Sequence, residues 1–191
     1  MNIFLRRIKE KIDLTEQQEE YLLSIIRTKK YSKNDYFLKP TQICSMIGYI
    51  DKGLARIFNI NSLGVETTNW LVTDDELVTE ILSFISQEPT QEYIQCIEET
   101  TVVYITYKDL QDIYKIIPQM HIYTKLINED LLVGVKKYIL SNIHLSAEER
   151  YEQLLKVRPK LIQKTPLKHI ASFLGITDST LSRVRRKILI S

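Results

Sequence analysis

Four side chains near the C-terminus share one helical face. Counted at about 100° per residue from Leu181, Ser179, Arg183 and Arg186 fall near 160°, 200° and 140°, with Ser182 at the edge near 100°. Small hydroxyls let a helix come close to a surface. Guanidinium groups donate paired hydrogen bonds to guanine O6 and N7. This is the chemistry that reading a DNA major groove demands. Thr177, Thr180 and the helix N-terminus are placed to hold a phosphate through hydroxyls and backbone N–H groups. Lys168 and His169, just upstream, add two further candidates for the phosphate backbone. Arg185, about 40° from the apolar stripe, is expected to pack or to meet a phosphate rather than a base.

Two short helices and a tight turn must position these groups. Thr165 is expected to cap the first helix, with Pro166 at its first position. Ile170, Ala171 and Leu174 give it a buried side, and Ala171 is small where a second helix crosses. Gly175 ends it in a left-handed conformation, Ile176 fills the corner and Thr177 caps the next helix. Leu181, Val184 and Ile188 form that helix's buried stripe. The pattern is a helix-turn-helix. Residues 158–187 carry eight basic groups and the single acid Asp178.

Upstream, Ser146 and Glu149 make a capping box for a helix that Pro159 stops. Residues 118–142 predict one helix about 37 Å long at 1.5 Å per residue. Met120, Tyr123, Leu126, Ile127, Leu131, Val135, Tyr138 and Ile139 exceed a single stripe, which points to a second copy of the chain against the surplus face. Residues 3–30 read as helical, with a cap at Thr15. From Tyr36 to Tyr107 the texture becomes β, with strands expected at 45–50, 54–60, 65–72 and 93–107 and hairpin turns at 51–53 and 61–64. These form a small antiparallel barrel or roll. The expected division is a β-roll with N-terminal helices over 1–117, a dimerisation helix over 118–143 and a helix-turn-helix unit over 144–191.

The formal net charge of +2 conceals a division. Residues 146–191 hold ten Lys/Arg and four Asp/Glu, whereas residues 1–145 hold sixteen and twenty. One end is suited to a polyanion and the other is not. Between Arg56 and Lys108 there are nine acids and no basic residue. The charged N-terminus lacks the apolar segment of a signal peptide, so a cytoplasmic location is expected, without membrane contact. Two distant cysteines and three scattered histidines predict no metal site and no iron–sulfur cluster. No P-loop, GxSxG or HExxH motif is present, so no enzyme activity is expected.

The stretch IASFLGITDSTLSRVRRK (170–187) resembles the winged helix-turn-helix of the Crp/Fnr family of bacterial transcription regulators. SAEERYEQLL (146–155) matches the segment entering that unit, while GLARIF (53–58) and residues 82–102 are similar to the family's β-roll. The resemblance implies an α+β fold: an antiparallel, cyclic-nucleotide-binding-like β-roll, a long dimerisation helix and a C-terminal winged helix-turn-helix. It also implies a homodimer on a two-fold symmetric operator in double-stranded DNA, with RNA polymerase as a partner and base contacts at Ser179, Ser182 and Arg183. Asp178 stands where cyclic AMP-type members often carry Arg, which implies a different operator. Those members hold the ribose with a Gly-Glu pair and the phosphate with an Arg. Here Thr79 precedes Glu80, and the aligned phosphate region, residues 89–93, reads PTQEY, so the effector is expected not to be cyclic AMP. A neutral or cationic small molecule, or no ligand at all, stays open. So does a haem held by His121 or His144, although nothing demands a cofactor. The alternative reading is a ligand-sensing or protein-interaction module whose basic end meets a polyanion other than DNA.

Overall fold

The computed structural model describes residues 2–190. Two helices open the chain, α1 (Ile3–Lys9) and α2 (Glu16–Ile25). Thr15 and Gln18 exchange hydrogen bonds as a capping box at the start of α2. The helical reading fails beyond that point. Strand β1 (Arg27–Tyr31) pairs along its whole length with β8 (Thr100–Thr106), which supplies a ladder and buries Tyr31. Sequence periodicity cannot show such a distant partner.

The remaining strands are β2 (Tyr36–Leu38), β3 (Met46–Lys52), β4 (Leu54–Ile60), β5 (Glu66–Thr73), β6 (Leu77–Val78) and β7 (Tyr93–Cys96), with helix α3 (Ile81–Ser86) between β6 and β7. They form two antiparallel four-stranded sheets, one ordered β1-β8-β3-β6 and the other β2-β7-β4-β5. The turn at 61–64 is a hairpin, as expected: Asn61 Oδ1 accepts from the N–H groups of Leu63 and Val65, and β4 pairs with β5. The turn at 51–53 is not one. It carries the chain from the first sheet to the second through Gly53, whose φ is +130° and whose Cβ, if present, would lie 2.5 Å from Thr100 Oγ1. The expected strand at 93–107 is likewise two strands in different sheets, because Ile97 turns into a separate core.

Three cores follow from this layering. Between the sheets, Phe37, Ile50, Ala55, Val72, Ile94 and Val102 pack with the free thiols Cys44 and Cys96. Burial pushes the Cys96 thiol up to about 11. On the outer side of the first sheet, Phe4, Ile8 and Leu22 meet Ile113 of α4 (Tyr107–Ile116) and Met120 and Tyr123 of α5 (Met120–His144). The hydroxyls of Tyr49 and Tyr123 lie 2.7 Å apart in that core. The outer side of the second sheet contributes Leu54, Leu71 and Ile97 to a core shared with the C-terminal helices.

Beyond Leu131, α5 carries exposed apolar side chains. Leu132, Val135, Ile139 and Ile143 recur at spacings of three and four and share one face, at 70%, 50%, 44% and 67% exposure. The chain ends in α6 (Ala147–Val157), α7 (Pro159–Lys164), α8 (Leu167–Phe173) and α9 (Asp178–Ile190). Ser146 and Glu149 cap α6 as the sequence predicts. Pro159 both ends that pattern and opens α7. Among the described residues no strand follows Thr106, so the wing implied by the resemblance is not found among them.

Candidate nucleic-acid interface

Helices α8 and α9 build the helix-turn-helix from inside out. Ile170, Ala171, Leu174 and Leu181 are almost fully buried, and Val184 and Ile188 pack against them. At the turn, Gly175 has φ +66°; its N–H donates to Ser172 O (3.0 Å) and the Ile176 N–H to Ala171 O (3.0 Å). This closes the C-terminus of α8 with the glycine geometry the sequence predicts. Arg150 reinforces the corner by donating to Leu174 O at 2.8 Å. The capping expectation at the other end of α8 is corrected. Thr165 Oγ1 donates to Leu161 O (2.6 Å), closing α7, and Pro166 rather than Thr165 stands at the N-cap.

The start of α9 gathers four of the predicted groups. Thr177 Oγ1 accepts from the Thr180 N–H at 3.2 Å and lies 3.0 Å from both Ser179 Oγ and Thr180 Oγ1. Arg183 Nη2 donates to Thr180 Oγ1 at 3.3 Å. Thr177, Ser179, Ser182, Arg183 and Arg186 are exposed, while Thr180 is half-buried beneath Arg183. The outward face of α9 therefore carries hydroxyls and guanidinium groups over a scaffold fixed by Leu181. Arg185 is half-buried, in keeping with its position near the apolar stripe.

Helix α8 is different. Lys168 is exposed, but His169, expected beside it as a phosphate-backbone contact, is 8% exposed and turned against the β-roll. Its Nδ1 lies 3.1 Å from Arg56 Nη1. Burial, and then Arg56 and Lys168, hold its pKa down to about 4, so the ring is neutral and Nδ1 accepts from the guanidinium. In this arrangement His169 is not offered to a duplex.

Other contacts close the same junction. Ser172 Oγ accepts from the Thr68 N–H at 2.9 Å. Arg158 donates to Leu71 O (2.8 Å) and pairs with Glu76, and Lys164 pairs with Asp74 (3.1 Å) and Glu98 (3.3 Å). Burial raises the Glu76 carboxyl although Arg158 opposes it. Burial also acts to raise Asp74, but the Gly53 N–H and Lys164 outweigh it and hold that carboxyl low. Arg56, Arg150 and Arg158 were not singled out by sequence as site residues; Arg56 marks the edge of the cation-free stretch, and that was the available signal.

In the roll, both oxygens of the buried Glu80 carboxylate accept from the first turn of α3, at Leu82 N–H (3.0 Å) and Ser83 N–H (2.9 Å). Burial raises the Glu92 carboxyl, which pairs with Asn69. Arg56 points out of the roll, toward His169 and Glu66. Among the described residues no cluster of His, Cys, Asp or Glu is arranged to hold a metal ion, and no helix is long and apolar enough to cross a membrane.

No protein-family model matches this sequence, and no curated protein matches it. Solved structures do. FixK2 from Bradyrhizobium japonicum is 16% identical, with 87% of this chain and 85% of that one covered at a TM-score of 0.75. A putative Crp/Fnr-family transcriptional regulator from Eubacterium rectale is 18% identical over 93% and 85%, at 0.70. The c-di-GMP-responsive global regulator CLP from Xanthomonas campestris is 16% identical over 92% of each chain, at 0.69. The chain has the Crp/Fnr-type fold, an α+β arrangement of β-roll, long helix and C-terminal helical unit.

Proposed function

We propose that this chain is a sequence-specific DNA-binding transcription regulator that acts as a homodimer. The observation that carries the reading is the exposed face of α9, where Ser179, Ser182, Arg183 and Arg186 stand on a buried Leu181–Val184–Ile188 stripe within a helix-turn-helix. Thr177, Thr180 and Lys168 are assigned to phosphates, Ser179, Ser182 and Arg183 to base edges, and Arg186 to the same groove. The exposed stripe of Leu132, Val135, Ile139 and Ile143 on α5 suits a second copy of the same helix, which would present two α9 helices to successive turns of a duplex. The similarity to solved regulators supports this reading at the level of the fold. RNA polymerase is the partner such a regulator would meet.

The effector in this reading is not cyclic AMP. Arg56 points away from the roll interior, and residues 57–107 contain no cation to pair with a buried phosphate.

The test is selection of bound fragments from random DNA by the purified protein, followed by competition at moderate salt. A selected fragment is expected to outcompete a scrambled one, with affinity falling steeply as salt rises. Equal competition would favour the alternative, a module that meets some other polyanion through its basic surface.

A further inference from the structure

The nine-acid, cation-free stretch of the roll finds its counterpart in the C-terminal helices. Asp74, Glu76 and Glu98 pair with Lys164 and Arg158 at the rim of a core in which Leu54, Leu71 and Ile97 meet Leu161, Ile170 and Phe173. Trp70 of β5 packs nearly perpendicular to the rings of Phe173 and Tyr138. At the centre lies Arg56. It is 5% exposed, with its guanidinium 3.7 Å above the Phe58 ring. Nε and Nη2 donate to Gln95 Oε1 (3.0 and 2.8 Å), and Nη1 donates to Glu66 Oε2 (2.6 Å) and His169 Nδ1 (3.1 Å).

We infer that the outer face of the β2-β7-β4-β5 sheet is the seat that sets the position of the helix-turn-helix, and that Arg56, through His169, is the positioning residue for the DNA-reading helix. The inference rests on the DNA-binding reading. The Lys164 pairs are partly solvated and contribute little specificity of position, and Arg158, held by Leu71 O and Glu76, anchors the start of α7 rather than α8. Arg56 is desolvated and Glu66 and Gln95 fix its guanidinium from the roll side, so its bond to His169 Nδ1 has a set direction that ties α8 to one position on the sheet. Helix α8 in turn fixes α9 through Ile170, Ala171 and Leu181. The strand supplies a route inward as well. On β4, Ala55 and Ile57 face the core between the sheets, while Arg56 faces α8. A ligand or substitution that repacks that core thus acts on α8 across the thickness of one strand.

The test uses the full chain and three variants. Arg56→Met puts an apolar thioether in place of the guanidinium stacked on Phe58 and removes the donors. His169→Phe removes the acceptor, and His169→Asn keeps one near Nδ1. Backbone hydrogen exchange of α8 is expected to quicken about tenfold in Arg56→Met and His169→Phe and to stay near wild type in His169→Asn. Strands β3 and β8 should exchange as in wild type; if Arg56→Met loosens them too, the His169 pair decides. A second readout uses the fragment enriched by the wild type, with and without one base pair inserted at its centre. The wild type should lose about tenfold in affinity on insertion, and Arg56→Met markedly less, because its two reading heads are no longer held at a set separation. Wild-type exchange of α8 in both Arg56→Met and His169→Phe, or an unchanged insertion penalty, overturns the inference. Failure to enrich any fragment would sink the DNA-binding reading instead and leave the exchange test standing.

Discussion

Helices α8 and α9 lie side by side, and both carry polar side chains on the face turned from their shared core. The face of α9 is open. That of α8 is largely closed, with His169, Ser172 and Phe173 set against β4 and β5. The contrast shows that polar residues outside a helical hairpin do two different jobs. On α9 they stay exposed, as the proposed contact with DNA requires. On α8 they fasten the hairpin to the rest of the chain, and only Lys168 among the predicted groups of that helix stays exposed.

Four expected outcomes sharpen this contrast. The largest concerns the core that both helices share. Leu181 is fully buried, and Leu181→Ala is expected to cost about 2–5 kcal/mol of stability through the cavity it leaves, measured by chemical denaturation. A negligible cost would mean that α9 is not anchored as described. Next comes the open face. Arg183→Ala should leave the fold intact but weaken binding to a selected fragment by about 1–3 kcal/mol and relax choice at one base pair per half-site. Uniform weakening on all sequences would reassign Arg183 to a phosphate. Third, Gly175→Ala meets no atom within 4 Å, so its cost is backbone strain alone at φ +66°, about 1–2 kcal/mol in thermal or chemical unfolding.

The fourth outcome is a pH dependence and belongs to the closed face. His169 is held neutral by burial and by Arg56 and Lys168, against the weaker opposite pull of Glu66 and Asp178. Its folded pKa of about 4 lies below the ordinary 6.5, so the unfolded chain binds the proton more readily. The stability this supplies is complete above pH 6.5 and is lost as pH falls toward 4. Denaturation of the wild type across that window should show a decline that His169→Asn lacks. Parallel profiles would place the ring in water.

The hairpin itself was readable from local residues. Gly175, Thr177 and the Leu181–Val184–Ile188 stripe act within a few positions of one another, and so do the capping pairs Thr15–Gln18 and Ser146–Glu149. The roll was readable as β but not as two sheets. Whether the chain folds back or crosses at Gly53 depends on Thr100, which lies against it from a distant strand. Strand β1 was hidden for the same reason, since Arg27–Tyr31 is extended through its partner β8. His169 looked like a free polar residue on a basic helix because its partner, Arg56, is 113 positions away. What local spacing cannot state is which outward faces the remainder of the chain will cover.

Methylation interference at guanine N7 tests the central assignment most directly, because it asks whether α9 occupies a major groove. On a fragment selected by the wild type, two groups of interfering guanines are expected, about 10 base pairs apart centre to centre, and one guanine in each group should cease to interfere for Arg183→Ala. Tight binding of that fragment with no interfering guanine, or the same interference with Arg183 removed, would contradict the account.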